Sequence, residues 1–302
     1  MVTWPSLERD LAELTRQPFR TPSRLPTFLI VGAMRSGTTS LARYLGAHPD
    51  VWMAPEKEVH FFDRNFDLGL DWYSRRLGGP ASASCIGEAT QSYMYDANSV
   101  LRIRKTLPRV KLIAILRDPI DRAYSHFQLN KALGIEPLLF QEALQAEAER
   151  LSSPDRNQRF AYSYVDRGLY HAQMLRLSSS CPRESIHVAL FEEMRADPGS
   201  VVEAACRFLG VDPSLEMPGL GRVINSHVEF RSLRVRRLGK RLPQPLSSVA
   251  GRLNVRRRAY EPLDNMTRFA LREVFRDDVE SLSQYLGREL PSWLKGPRQD
   301  ER

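Results

Sequence analysis

The sequence predicts an α/β fold in which a parallel sheet is covered by helices. Three observations carry this. From residue 27 to 210, short apolar runs alternate with segments of helical periodicity, the pattern of parallel strands joined by crossover helices. The stretch VKLIAIL, Val110 to Leu116, is apolar on both faces except for one lysine, as a central parallel strand must be. The stretch TFLIVGAMRSGTTSLARYL, residues 27 to 45, reads as a strand, a tight polar loop and the opening of a helix.

Taken in order, residues 1–26 read as a short helix from Ser6 to Arg16 and a proline-rich lead-in. Phe28 to Val31 is the first strand, bounded by Pro26 and Gly32. Leu41 and Leu45 recur at helical spacing after the loop. Val51 to Met53 is a short strand that Pro55 ends. Leu70 to Leu77 suggests a helix, Cys85 to Glu88 a strand, and Asn98 to Leu107 a helix that stops before Pro108. After the strand at 110–116, Asp118 is a good N-cap and Pro119 a good first helical residue. Phe140 to Leu151 reads as one exposed helix, and 152–163 as a loop. Tyr164 to Leu177 reads as helix with Leu169, Met174 and Leu177 inward. Ile186 to Phe191 is a further buried strand. The next helix carries Val202, Ala205, Cys206 and Leu209 on one face and stops at Gly210. Residues 211–260 are irregular. Asp264 to Leu286 is a long amphipathic helix with Met266, Phe269, Val274, Val279, Leu282 and Leu286 as its apolar set, closed by Gly287.

The loop after the first strand is the first candidate site. Gly32 and Gly37 bracket it, Arg35 supplies a cation, and Ser36, Thr38, Thr39 and Ser40 supply hydroxyls. A helix starting here aims unpaired N–H groups and the positive end of its dipole at one point, which suits an anion. The plainer alternative is a turn that happens to hold glycine. Two glycines, one arginine and four hydroxyls within nine residues exceed what a turn needs. The loop is not a Walker A loop, because Thr38, not lysine, follows Gly37.

In the stretch after Pro55, Lys57, Glu58, His60 and Asp63 fall close together among Val59, Phe61 and Phe62. A carboxylate and an imidazole in partly apolar surroundings suit a general base. The alternative is a surface loop with a Lys57–Glu58 ion pair. At the end of the strand at 110–116 stands Arg117, at the usual ligand edge of a parallel sheet. Arg117 and Ser125 lie a turn or two apart and can reach one phosphate. Alternatively, Arg117 pairs with Asp121 and Ser125 faces solvent.

Composition bounds the class. The chain has 302 residues, 42% hydrophobic and 26% charged, as ordinary globular proteins have. No apolar run has membrane-spanning length, and acids and an early proline make MVTWPSLERDLAEL unlike a signal peptide. Cys85, Cys181 and Cys206 are far apart in sequence, without metal-ligand spacing, and read as thiols of a reducing compartment. Together these point to a cytoplasmic protein. The net charge is +8, yet residues 231–260 hold ten Arg or Lys and no acid, leaving −2 for the remainder. Such a block serves as a solvated arm, a nucleic-acid patch or a wall against an anionic ligand.

Five segments, GAMRSGTTSL, KEVHFFD, LRDPIDRAYSHF, RGLYHAQMLR and FEEMRADP…FLGV, occur in this order. Together they resemble the sulfotransferases that use 3′-phosphoadenosine 5′-phosphosulfate (PAPS), on the branch of the heparan sulfate 3-O- and N-sulfotransferases, as a bacterial-type member. The resemblance implies a P-loop-like three-layer α/β sandwich, with residues 27–302 forming a single sulfotransferase domain behind the 1–26 lead-in. It implies PAPS as co-substrate, no metal, and a carbohydrate or small-molecule acceptor. It places Arg35, Ser36, Gly37, Thr38, Thr39 and Ser40 on the 5′-phosphosulfate, with Arg35 where the family has lysine. Arg117 and Ser125 match the 3′-phosphate pair. Glu58 matches the general base, accompanied by His60 and Asp63. Arg256 and Arg258, in VRRRAYEP, fall at the cationic positions of a late loop that closes over the cofactor. Ala89 departs from a lysine that those enzymes hold against an anionic sugar, and the C-terminal cysteine pair of the 3-O-sulfotransferases is absent.

Two other classes remain open from the residues alone. A nucleotide kinase or triphosphatase also uses a strand–loop–helix phosphate site, but the Walker lysine is missing. A nucleic-acid-binding module would be led by residues 231–260, which have only Tyr260 to stack on bases.

Overall fold

The structure, a computed structural model, describes residues 24–80, 82–215, 228–230, 255–257 and 260–294. The expected helix at 6–16, Arg258 and most of the basic block 231–260 lie outside them. The described chain falls into two units: one from Met1–Leu116 and Gln173–Arg222, the other from Arg117–Ala172 and Val223–Arg302.

The first unit holds a sheet of strands β1 (Phe28–Gly32), β2 (Val51–Met53), β3 (Cys85–Ala89), β4 (Lys111–Leu116) and β5 (Ile186–Leu190). The order is β2-β3-β1-β4-β5 and every pairing is parallel. Flanking helices are α1 (Thr38–Leu45), α2 (Phe61–Arg64), α3 (Gly69–Leu77) and α4 (Ala97–Thr106). The strands match the sequence expectation to within a residue at each end. Phe28 to Val31 and Leu112 to Leu116 are buried on both faces, which is why they read as unbroken apolar runs. β1 is central, with β3 on one side and β4 on the other. The chain therefore winds away from β1 in both directions, which opens a crevice at the carboxyl end of β1.

The second unit opens with α5 (Pro119–Leu133), whose N-cap Asp118 accepts from the Ile120 and Asp121 amides. The helix expected over 140–151 is two helices, α6 (Phe140–Gln145) and α7 (Glu147–Leu151), which meet at Ala146. The expected loop at 152–163 contains α8 (Arg156–Tyr162). Asp155 caps it by accepting from the Asn157 amide, and Arg156 stacks on Phe160. A 3-10 turn, Asp166–Gly168, precedes α9 (Tyr170–Ser180), so the helix expected from 164 starts six residues later. Met174 and Leu177 are buried as expected, and Leu169 only partly.

The chain returns to the first unit within α9. There β5 leads to α10 (Phe191–Ala196) and α11 (Pro198–Leu209), whose last carbonyls accept from Lys111 Nζ at 2.7 and 2.9 Å. A cation at a helix C-terminus offsets the negative end of the dipole.

In the second unit β6 (Val228–Phe230) and β7 (Val255–Arg257) pair antiparallel, and α12 (Asn265–Leu286) and α13 (Pro291–Leu294) follow. The inward face of α12 is Thr267, Leu271, Phe275, Val279 and Leu282, a stripe at four- and three-residue spacing. Three residues of the expected apolar set lie off it: Met266 is 85% exposed, Phe269 63% and Val274 54%. Asp278 of this helix accepts from the Tyr170 and His171 amides and so caps the start of α9.

Phe275 is fully buried and a Cβ on Gly168 would come within 2.8 Å of its ring. Phe275→Ala should lower unfolding free energy by roughly 3–5 kcal/mol, as large core truncations do. Phe269→Ala should change it by about 0.5 kcal/mol or less, as an exposed site. Urea unfolding of the two variants checks the assigned face, and equal losses would reverse it.

Candidate active site

The loop after β1 is built as the sequence suggests. The chain leaves β1 at Gly32, the Ala33 amide donates to the Ile115 carbonyl at 2.7 Å, and α1 begins at Thr38. Gly37 is the N-cap, at φ 94°, and no side chain caps the helix. Its first amides are thus left to an outside acceptor. A Cβ at Gly37 would lie 2.5 Å from Met194 Cε and 2.9 Å from the Phe191 ring. Both its dihedral and its surroundings demand glycine. Ser36 is fully buried and its Oγ has no hydrogen-bond partner. An orphaned hydroxyl beside an uncapped helix start fits a bound anion, since buried polar groups otherwise find partners. Thr38 is buried, whereas Arg35, Thr39 and Ser40 are half-buried.

The second cluster forms at the end of β3, the strand beside β1. Glu58 is 22% exposed in its side chain, with Lys57 Nζ on Oε1 and the Gln91 amide donating to Oε2 at 3.4 Å. The ion pair of an ordinary surface loop does form. What distinguishes the site is His60, whose Nδ1 lies 2.9 Å from Asp63 Oδ2. Asp63 accepts from Ser92 Oγ as well, at 2.7 Å. A carboxylate only accepts, so Nδ1 carries the proton toward Asp63. The other ring nitrogen, Nε2, is 3.8 Å from Glu58 Oε2.

Among the described residues, Arg35, Glu58 and His60 are the non-glycine residues with left-handed φ, at 68°, 61° and 56°. Each such residue costs on the order of 1–3 kcal/mol and survives only when its neighbours fix it. The neighbours are identifiable. The Glu58 amide donates to the Ala89 carbonyl at 3.0 Å, and the His60 carbonyl accepts from the Asn65 amide at 2.9 Å. All three positions are among the site residues expected from the sequence.

The remaining expected site residues belong to the second unit. Ser125 is buried in α5 and does not face solvent, and Asp121 pairs with Arg268 at 2.6 Å. Arg117, half-buried, follows the last residue of β4. Arg256 lies in β7, opposite Glu229 of β6.

One residue of the first unit escaped the sequence. Glu88 stands in β3, fully buried. Burial, followed by repulsion from Glu58, pushes its carboxyl up to about 7, against the hydrogen bonds from Thr90, Tyr93 and Tyr73. The available signal was an acid inside an otherwise apolar strand, CIGEA.

Comparison with known proteins bears on the family and the fold. Residues 25–252 match the family model described as the sulfotransferase domain. The human bifunctional heparan sulfate N-deacetylase/N-sulfotransferase 3 is 28% identical over 290 residues, covering 91% of this chain and 32% of that protein. The chain thus spans about a third of that relative's length. The membrane-associated sulfotransferase kil1 of Dictyostelium discoideum is 37% identical over 109 residues, covering 35% of this chain and 23% of that protein. The crystal structure of a sulfotransferase from Alicyclobacillus acidocaldarius superposes with a TM-score of 0.70 at 29% identity, covering 90% of this chain and 100% of that one. No helix among the described residues is long and apolar enough to cross a membrane.

The raised carboxyl of Glu88 has a consequence for stability. Between its ordinary value of 4.5 and about 7, the folded chain holds a proton that the unfolded chain has lost. Stability therefore falls as pH rises through that window. Relative to Glu88→Gln, the wild type should lose about 3 kcal/mol from pH 4.5 to 7, from the size of the shift. Asp118, raised to about 7 by burial and by Asp121, acts equally in both proteins and cancels. Urea unfolding at stepped pH checks this, and parallel curves for the two proteins would refute it.

Proposed function

The chain belongs to the sulfotransferase-domain family, matched over residues 25–252, and on that premise we propose that it moves a sulfuryl group from PAPS to an acceptor hydroxyl. An amine is the second choice of acceptor. The acceptor classes in view are carbohydrate, glycolipid and small natural product. The observation that carries the donor assignment is the loop itself: an uncapped helix start, a buried Ser36 hydroxyl without a partner and no Walker lysine. Such a loop suits a terminal phosphosulfate better than a magnesium-bound triphosphate.

In this reading Arg35 and residues Ser36 to Ser40 hold the 5′-phosphosulfate. Arg117 and Ser125 hold the 3′-phosphate, and Arg256, with Arg258 beyond the described residues, closes over the nucleotide. Bound PAPS supplies an activated sulfuryl group with a phosphate leaving group. Glu58 takes the acceptor's proton as the new O–S bond forms. The bridging S–O bond breaks, and its electron pair goes to the 5′-phosphate. Arg35 and the α1 amides then face the charge that develops there. Positioning and charge stabilisation carry most of such a transfer, as they do in phosphoryl transfer. His60, held through Nδ1 by Asp63, keeps Nε2 beside Glu58 and orients it. Ala89, buried in β3, offers no cation to an anionic sugar, which favours an acceptor other than heparan sulfate. Three buried free thiols, Cys85, Cys181 and Cys206, support a reducing compartment such as the cytoplasm.

Transfer of labelled sulfate from PAPS to a panel of hydroxyl and amine acceptors tests the activity. Calorimetry with 3′,5′-adenosine bisphosphate tests the donor site. Binding of magnesium–ATP without binding of the bisphosphate would falsify the assignment. Glu58→Gln should lower turnover ~10²–10⁴-fold, the usual share of a general base, and leave bisphosphate binding intact. Arg117→Ala should do the reverse and weaken the bisphosphate first. Full turnover in Glu58→Gln would move the base role to His60.

A further inference from the structure

The six residues EATQSY, 88–93, run out of β3 and grip the segment 58–63 at nearly every step. Ala89, Gln91 and Ser92 hold Glu58 and Asp63 by the bonds given above. Tyr93 Oη accepts from the Phe61 amide at 2.9 Å. Thr90 Oγ1 accepts from the His60 amide at 3.3 Å. Glu88 is the member of the six that reaches the segment only through others: the hydroxyls of Thr90, Tyr93 and Tyr73 all donate to its carboxyl, and those of Thr90 and Tyr73 bear on His60 and its neighbour Phe61.

One carboxyl oxygen, Oε1, accepts from the Thr90 hydroxyl. A threonine hydroxyl has one proton to give. With that proton committed to Glu88, the oxygen's lone pairs are left for the His60 amide. The other oxygen, Oε2, accepts from Tyr73 Oη at 3.2 Å. The Tyr73 ring stacks on Phe61, the residue after His60, with centroids 4.2 Å apart and planes within 5°. An apolar side chain would fill this part of the core without the desolvation cost of a carboxyl. It would accept none of the three hydroxyls.

We propose that Glu88, acting through the Thr90 hydroxyl and the Tyr73 ring, is a positioning residue that fixes the left-handed His60 backbone and with it the Glu58–His60 pair. The proposal rests on Glu58 being the base. What the carboxyl supplies is acceptor oxygens, so the amide of glutamine, which keeps one of them, preserves part of the function and leucine preserves none.

Four variants test it: Thr90→Val, which keeps the shape and loses the hydroxyl, Thr90→Ser, which keeps the hydroxyl, and Glu88→Leu and Glu88→Gln. Turnover is read with the acceptor that the labelled-sulfate panel identifies. Thr90→Val and Glu88→Leu should lower kcat ~10- to 100-fold, as small misplacements of reacting groups do, with KM for PAPS and Kd for the bisphosphate within about twofold. Thr90→Ser should recover most of the loss, and Glu88→Gln should lie between wild type and Glu88→Leu. The His60 backbone amide resonance should shift in Thr90→Val and stay near its wild-type position in Thr90→Ser. If Glu88→Leu fails to fold, the threonine pair still decides. A Thr90→Val protein with wild-type kcat and an unmoved His60 amide overturns the proposal. The two readings fail separately: full turnover in Glu58→Gln removes the base, whereas the His60 amide reports on the positioning alone.

Discussion

The parallel pairing of β1 with β3, in the register that sets Ile30 beside Ala89, is the constraint on which the polar end of the first unit depends. It puts the carboxyl ends of two neighbouring strands side by side. One strand releases the glycine loop and the other releases EATQSY. The pairing continues past the strands themselves, since the Thr90 amide donates to the Ile30 carbonyl and the Met94 amide to Val31. A slip of one residue would turn Glu88 to the opposite face of the sheet. It would also detach the bonds that hold residues 58–63.

That arrangement explains how three unfavourable dihedrals persist together. Arg35 is fixed between a strand end and a helix start. Glu58 is fixed by the Ala89 carbonyl and the Gln91 amide, and His60 by the Thr90 hydroxyl. Val59, between them, is buried and anchors the segment to the core. The Asn65 side chain donates to the Val59 carbonyl at 3.0 Å and ties down the backbone from the other side. Local strain is offset by a neighbouring segment made rigid by sheet pairing, so the acid and the imidazole meet without relying on long, mobile side chains.

The strands were legible because parallel strands buried on both faces must be apolar throughout, as Phe28 to Val31 and Leu112 to Leu116 are. The loop was legible because a tight passage from strand to helix requires glycine where the backbone turns left-handed, and Gly37 stands there. Lys57, Glu58, His60 and Asp63 were legible as a cluster, since four titratable residues fall within seven positions. What failed did so for physical reasons. Met266 and Phe269 look like core because sequence records polarity and not which stripe a helix presents. The helix at 156–162 was hidden by serine and proline ahead of it, although Asp155 was available as its cap. The role of 88–93 was not legible, because it consists of single bonds from main-chain and short polar groups to a segment 30 residues earlier. No periodicity records such bonds.

Gly37 touches Met194 and Phe191, residues made long after the loop itself. The first unit is also discontinuous in sequence, interrupted by residues 117–172. Part of the wall around the glycine loop therefore comes from α10, which is synthesised only after the whole of residues 117–172. A chain cut short before α10 carries the whole glycine-loop sequence and lacks the Phe191 and Met194 side chains that lie against it.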